Sequence, residues 1–287
     1  MNETGSDDTS PTAAADRPGL EGTHWDPDLS YGGYLALDEL LAAQRPRSGE
    51  HDEMLFIVIH QASELWIKLA LHEIEAAMRS IDADEVGPAL KMLARVSRIQ
   101  ANLTQSWSIL STLTPADYLR FRPSLGQSSG FQSHQYRLLE FRLGNKAEHL
   151  IRPHRSHPER EQRLYAALRE PSLYDRVLQL LHRHGLDVPA SARERDWSQP
   201  YQPSEGVETA WLAVYRDTAR YWVLYDLAEK LVDLEHQFQQ WRFMHLKTVE
   251  RIIGQKRGTG GTSGVNYLWR ALELSFFPEL WSVRTRL

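Results

Sequence analysis

An all-α fold is what this 287-residue chain predicts, and three observations carry that reading. Apolar residues recur at spacings of three and four over long stretches, the period of a helix with one buried stripe. Two stretches, 53–80 and 206–253, sustain that period past twenty-five residues. Alternating β-branched runs bounded by turn residues, the mark of strands, are scarce. Hydrophobic residues make up 41% and charged residues 25% of the chain, ordinary for a soluble globular protein long enough to bury a core.

The first twenty-two residues are rich in Asp, Thr, Ser, Ala and Pro and read as a disordered acidic tail. They have neither the basic start nor the apolar stretch of a signal peptide. Residues 23–287 read as a single all-α domain. Tyr34–Ala43 is expected to be a short helix on Leu35, Leu37, Leu40 and Leu41. Glu53–Ser80 is a long one, with Leu55, Ile59, Ala62, Leu65, Leu69 and Ile74 on one stripe and Glu64 paired to Lys68. Pro88 opens the next, running to about Thr112. Thr114-Pro115 has the N-cap and first-turn signature of a short helix over Ala116–Phe121. Arg122 to Gly130 is loop chemistry, and helix resumes over Gln132–Leu143. Residues 145–205 carry many Arg and His and six prolines, which suggests short helices in an insertion on the main bundle. Ser204 to Glu208 has partial capping-box character and leads into one long helix over 206–253. Gly254 ends it, the glycine-rich loop Gly258–Gly264 follows, and Asn266–Glu273 is the last helix.

The composition excludes several functions. With no cysteine there is no disulfide, zinc-thiolate site, iron–sulfur cluster, thiolate-ligated haem or cysteine nucleophile. A net charge of −5 and a pI near 6.2 argue against nucleic acid or anionic membrane as partner. No run reaches the eighteen apolar residues of a membrane span, so a soluble, cytoplasmic protein is expected. A di-iron bundle needs Glu-x-x-His twice on inward-facing helices, and Glu21-Gly-Thr-His24 is the one instance. The glycine-rich loop lacks the Gly-Lys-Ser/Thr of a phosphate-binding loop.

What remains are two histidines, each alone on an apolar helical face: His60, within Met54–Leu69, and His245, within Phe238–Ile253. One neutral imidazole among dry walls is what a haem pocket requires. Taken singly, each reads first as a core histidine satisfied by its neighbours. Arg122, at a helix end before a proline, offers a planar fork for a carboxylate. The glycine-rich loop offers successive backbone N–H groups, though a mobile surface loop has the same composition.

Longer motifs narrow these options. Tyr31-Gly-Gly-Tyr-Leu35, the run His51–Trp66, Leu113-Thr-Pro-Ala-Asp-Tyr118 and Arg122-Pro with Gly126–Ser133 all resemble tryptophan 2,3-dioxygenase. So do Trp241-Arg-Phe-Met-His245 and Lys256–Gly264, in the order the family has them. The resemblance implies an all-α haem-binding bundle using haem b, one per subunit and ferrous when active, with molecular oxygen and L-tryptophan as substrates. His245 then corresponds to the axial ligand of the haem iron and His60 to the distal histidine facing the indole nitrogen. Phe56 would pack on the indole, with Ile57, Val58 and Ile59 in the same pocket-lining segment. Tyr118 and Arg122 would hold the substrate carboxylate and Thr259 the amino-acid head group. Tyr31, Tyr34 and Leu35 would come from the adjacent subunit of a homotetramer. The expected reaction cleaves the C2–C3 bond of the indole ring to N-formyl-L-kynurenine, the first step of tryptophan catabolism by the kynurenine pathway. His60 is assigned a positioning role, because electrophilic addition to C2–C3 needs no prior loss of the indole proton. A haem-based tryptophan sensor without turnover and a purely structural helical scaffold are the competing readings.

Overall fold

The computed structural model describes residues 30–261 and 264–287, so the expected acidic tail lies outside the described residues. Among these residues there are thirteen α-helices, a few 3₁₀ turns and no strand. The chain divides into two units, one ending at Arg45 and the other spanning Pro46–Leu287.

In the first unit the single helix expected over Tyr34–Ala43 is two short ones, α1 (Tyr31–Leu35) and α2 (Leu37–Leu41). Ser30 caps α1, its Oγ accepting from the Gly33 N–H at 3.1 Å. Ala36 then adopts a left-handed conformation with φ 49°, which ends one helix and starts the next.

Three long helices organise the second unit. They are α3 (Asp52–Asp82), α4 (Val86–Leu110) and, far along the chain, α11 (Trp222–Ile253). The turn at 83–85 folds α4 back on α3, with Asp84 in the left-handed region at φ 63°. α4 packs along both partners, and its stripe of Leu93, Val96, Ile99 and Leu103 is buried between them. Ile74, Ala77 and Ile81 of α3 and Leu227, Leu231, Leu234 and Phe238 of α11 are buried in the same core. Each such Val, Leu, Ile or Phe side chain, fully buried, stabilises the fold by roughly 1.5–3 kcal/mol relative to exposure. By length and mean composition α3 could cross a membrane, although polar residues interrupt it short of eighteen apolar residues in a row. Its outward face nevertheless carries the charge of Lys68 beside the exposed apolar residues Met54, Val58 and Leu65.

Between α4 and α11 run α5 (Pro115–Phe121), α6 (His134–Leu143), α7 (Pro158–Arg169), α8 (Leu173–Arg183), α9 (Ala190–Arg193) and α10 (Glu205–Arg216). Thr114 caps α5 as its sequence predicts, accepting from the Asp117 N–H at 3.3 Å. The stretch 122–130 is more ordered than loop chemistry suggests, with 3₁₀ turns at Arg122–Leu125 and Gly130–Gln132. Pro158 begins α7, where its missing N–H costs nothing. Ser172 and Asp175 cap α8 reciprocally, and the buried Asp175 also receives the Arg195 guanidinium at 2.9 and 3.1 Å.

The helix expected over 206–253 is broken between Arg216 and Trp222. The Asp217 carboxylate accepts from the Arg220 N–H at 3.2 Å, the local bond by which Asp competes with a helix. The break lets the Tyr215 hydroxyl reach Glu229 of α11 at 2.5 Å, where Arg284 joins them at 2.9 Å. Ser204 makes no side-chain cap; its N–H donates to Glu279 instead, at 2.8 Å.

After α11 come α12 (Val265–Leu272), α13 (Pro278–Ser282) and a last 3₁₀ turn. Buried Glu235 of α11 accepts from the N–H groups of Phe276 and Phe277 at 2.6 and 3.1 Å, and from Trp281 Nε1 at 2.8 Å. One carboxylate thereby anchors the C-terminal segment. Glu235→Ala orphans three donors and should lower stability by about 2–4 kcal/mol in urea unfolding, with Glu235→Gln losing less.

Candidate active site

Where α3, the end of α4, α5 and α11 meet, their apolar stripes leave a cavity of about 260 Å³. Phe56, Ile59, Leu110, Leu113, Ile252 and Ile253 make its dry walls, and both singled-out histidines face into it. The long sequence separation between them is closed by the packing of α4 between α3 and α11.

His60 donates Nδ1–H to the Phe56 carbonyl at 2.7 Å. A carbonyl can only accept, so the neutral ring carries its proton on Nδ1 and presents a bare Nε2. Burial pushes its pKa below the usual histidine value, against a smaller opposing pull from Glu64. Phe56 lies over the same ring, centroid to centroid 4.1 Å. His245 makes no hydrogen bond to any described residue. Trp107 stacks flat on it at 4.5 Å, with 7° between the planes, and Trp241 flanks it at 5.4 Å. Burial, with a smaller contribution from His60 nearby, holds His245 down to about 4, so it is neutral at ordinary pH.

Tyr118 is 8% exposed and lines the cavity beside Phe56 and Phe121. Burial raises its pKa, and the neighbouring Arg122 guanidinium opposes that. Arg122 itself is outside the cavity wall. Its Nη2 donates to the Arg257 carbonyl at 2.7 Å and ties the end of α5 to the glycine-rich loop. Thr259 does line the cavity, and its hydroxyl donates to the Ser128 carbonyl. This approach requires glycine nearby: a Cβ on Gly260 would lie 2.7 Å from Ser129 Cβ. At Gly264, with φ 58°, a Cβ would stand 2.8 Å from the Lys256 carbonyl oxygen.

Of the segment 56–59, Phe56 and Ile59 reach the cavity, while Ile57 and Val58 do not. Steps of about 100° per residue turn those two away, and Val58 is 44% exposed. Glu64 makes no ion pair with Lys68 among the described residues; Gln135 of α6 donates to its carboxylate at 2.8 Å. Tyr31, Tyr34 and Leu35 belong to the other unit and are 77%, 81% and 41% exposed. Sequence reasoning passed over Trp107, Tyr136, Arg137, Glu140, Trp241 and Arg242, all of which line the cavity. Trp107 continues the Ile99–Leu103 stripe of α4 and was readable as a stripe residue, but nothing local marked it as the partner of His245.

Comparison with known proteins bears on what this cavity serves. The family model described as tryptophan 2,3-dioxygenase matches residues 21–287. The chain belongs to the tryptophan 2,3-dioxygenase family. The tryptophan 2,3-dioxygenase of a Bacillus cereus strain is 57% identical over 269 residues, covering 93% of this chain and 96% of that one. Tryptophan 2,3-dioxygenase 1 of Ralstonia nicotianae is 57% identical over 259 residues, with 90% and 88% covered. The enzyme of that name from Polaromonas sp. is 58% identical over 260 residues, with 91% and 88% covered. In this family member the glycine-rich loop is held by one guanidinium and one hydroxyl. Gly260→Ala should displace it and speed tryptic cleavage after Lys256 and Arg257 several-fold, with Gly49→Ala, a site open within 4 Å, as the unchanged control.

Proposed function

We propose that this chain is a haem-dependent dioxygenase that opens the indole ring of L-tryptophan between C2 and C3 with molecular oxygen, giving N-formyl-L-kynurenine. The observation that carries this reading is the pair of neutral imidazoles facing one largely apolar cavity in a chain of this family. The donor set fits haem b. His245 is uncharged and stacked on Trp107, so one ring nitrogen would be available to hold the haem iron. No cysteine competes for the role. When bound, the haem supplies a ferrous iron at which molecular oxygen is activated toward the electron-rich C2–C3 bond.

The side chains then orient the substrate. His60, with its proton committed to the Phe56 carbonyl, keeps Nε2 as an acceptor for the indole N–H. Its lowered pKa keeps that lone pair available, and holding the N–H in place does not require removing it. Phe56 supplies the wall against the indole, and Ile59 closes the same side. Arg122 and Tyr118 receive the carboxylate, and Thr259 the head group, so that the ring lies in one productive pose. Because Arg122 also grips the Arg257 carbonyl, carboxylate recognition and loop position share one guanidinium.

Tyr31, Tyr34 and Leu35 complete the pocket of a neighbouring subunit in a homotetramer. Their exposure in the single chain supports this, as does the unburied apolar row of Met54, Val58 and Leu65 on α3. The cysteine-free composition suits a reducing cytoplasm.

Aerobic incubation of the reduced, haem-loaded protein with L-tryptophan should yield N-formylkynurenine absorbance. Tryptophan binding with no product would instead indicate a sensor, and failure of the protein to take up haem, with no bound Soret band, a scaffold. His245→Ala should lose most of its haem on gel filtration, since no cysteine or methionine lines the cavity to take its place. Arg122→Ala should lower kcat/KM for L-tryptophan by roughly ten- to a hundredfold, the worth of a charge-assisted hydrogen bond of about 1.5–3 kcal/mol. Indole substrates lacking the carboxylate should be affected far less. Equal losses on both would mark Arg122 as structural.

A further inference from the structure

The cavity is not uniform. Opposite its apolar walls stands a cluster that the positioning of tryptophan does not use: Arg137 and Glu140 of α6, Arg242 of α11, and the hydroxyls of Tyr136 and Tyr267. Both guanidiniums are almost completely buried, Arg137 at 2% and Arg242 at 3% exposure. Glu140 is the carboxylate they share. Arg137 donates to it directly, while Arg242 Nη2 stands 3.6 Å from its Oε1, which already accepts from Asn145 at 3.2 Å. Glu64, the other acid of the cavity wall, is bonded to Gln135 and pairs with neither arginine. One positive charge is thus left over in a buried wall.

The hydrogen-bond inventory points the same way. Arg242 donates through Nη1 to the Leu274 carbonyl at 2.9 Å, but among the described residues its Nε and Nη2, and Nε of Arg137, have no hydrogen-bond partner. The aromatic rings of Phe238 and Phe276 sandwich Arg242 at 4.8 Å each, and Phe131 and Tyr136 flank Arg137 at 4.8 and 5.1 Å. Ring faces stabilise a cation weakly compared with a carboxylate, and they satisfy no N–H. A buried charge without a full partner is destabilising until an anion meets it.

We propose that Arg137 and Arg242 form the seat for the propionate edge of the haem, so that its two carboxylates meet the excess charge and the macrocycle lies against the apolar walls. The proposal rests on the haem reading above. It sets the rotation of the haem about its axial bond, which His245 alone leaves open. Glu140 then acts as a positioning residue that keeps the two guanidiniums spread while moderating their charge.

The test compares haem b with its dimethyl ester, which has the same ring and iron but no carboxylates. Full-length protein is loaded with either, and release to an excess of apomyoglobin is followed at the Soret band. Wild type should release the ester at least about tenfold faster than haem. In Arg137→Gln and Arg242→Gln that ratio should fall several-fold toward one. Should these variants fold poorly, Glu140→Gln supplies the complementary reading: freeing both guanidiniums should widen the ratio. Equal release of haem and ester by wild type, or a ratio unaltered in all three variants, would overturn the assignment while leaving the haem reading intact. Failure of wild type to take up either compound would overturn both.

Discussion

Keeping two imidazoles uncharged inside one apolar cavity is the constraint from which most of this molecule follows. A charged histidine there would have to give up its hydration to apolar walls, so burial drives both rings to the neutral form. His60 settles its remaining N–H on the Phe56 carbonyl one turn back, which costs α3 nothing because that bond lies within the helix. His245 is left without such a bond and is held by ring stacking on Trp107. A neutral, oriented, unengaged nitrogen is a ligand in waiting, and the surrounding helices exist to keep it so.

That arrangement makes α4 the hub. It contributes no histidine, yet it lies between the two helices that do, and its C-terminal turn supplies both Trp107 and the apolar floor at Leu110. The residues after α12 also matter to a site whose wall they do not form. Glu235 pins Phe276 and Phe277 against α11, and the Leu274 carbonyl they hold in place receives Arg242. Order in the last helices is therefore transmitted to the polar end of the cavity through one side of α11.

The glycine-rich loop is governed by a different balance. It gains only two side-chain hydrogen bonds among the described residues, from Arg122 and from its own Thr259, and buries little apolar surface. Segments with so few contacts sit at the low end of local stability, which suits a loop that must admit a substrate. Glycine at 260 and 264 is what permits close approach to Ser129 and to the Lys256 carbonyl.

Much was legible in the chain itself. The period of about 3.6 residues located α3, α4 and α6, the Thr114-Pro115 pair marked the start of α5, and two lone histidines on apolar faces marked the site. Motif order identified the family and, with it, roles that spacing could never assign. Other features needed the folded chain. The break at Asp217 lets Tyr215 reach Glu229, a contact invisible to periodicity. Glu64 abandons its predicted partner Lys68 for Gln135 because α6 packs on α3 at that turn. The pairing of Trp107 with His245, and of Arg137 and Arg242 around Glu140, joins residues more than a hundred positions apart. Local sequence determines which face of a helix is apolar, because side-chain direction is a property of the backbone. Which faces meet, and which polar groups are stranded when they do, is decided only by packing, because burial is a property of the whole.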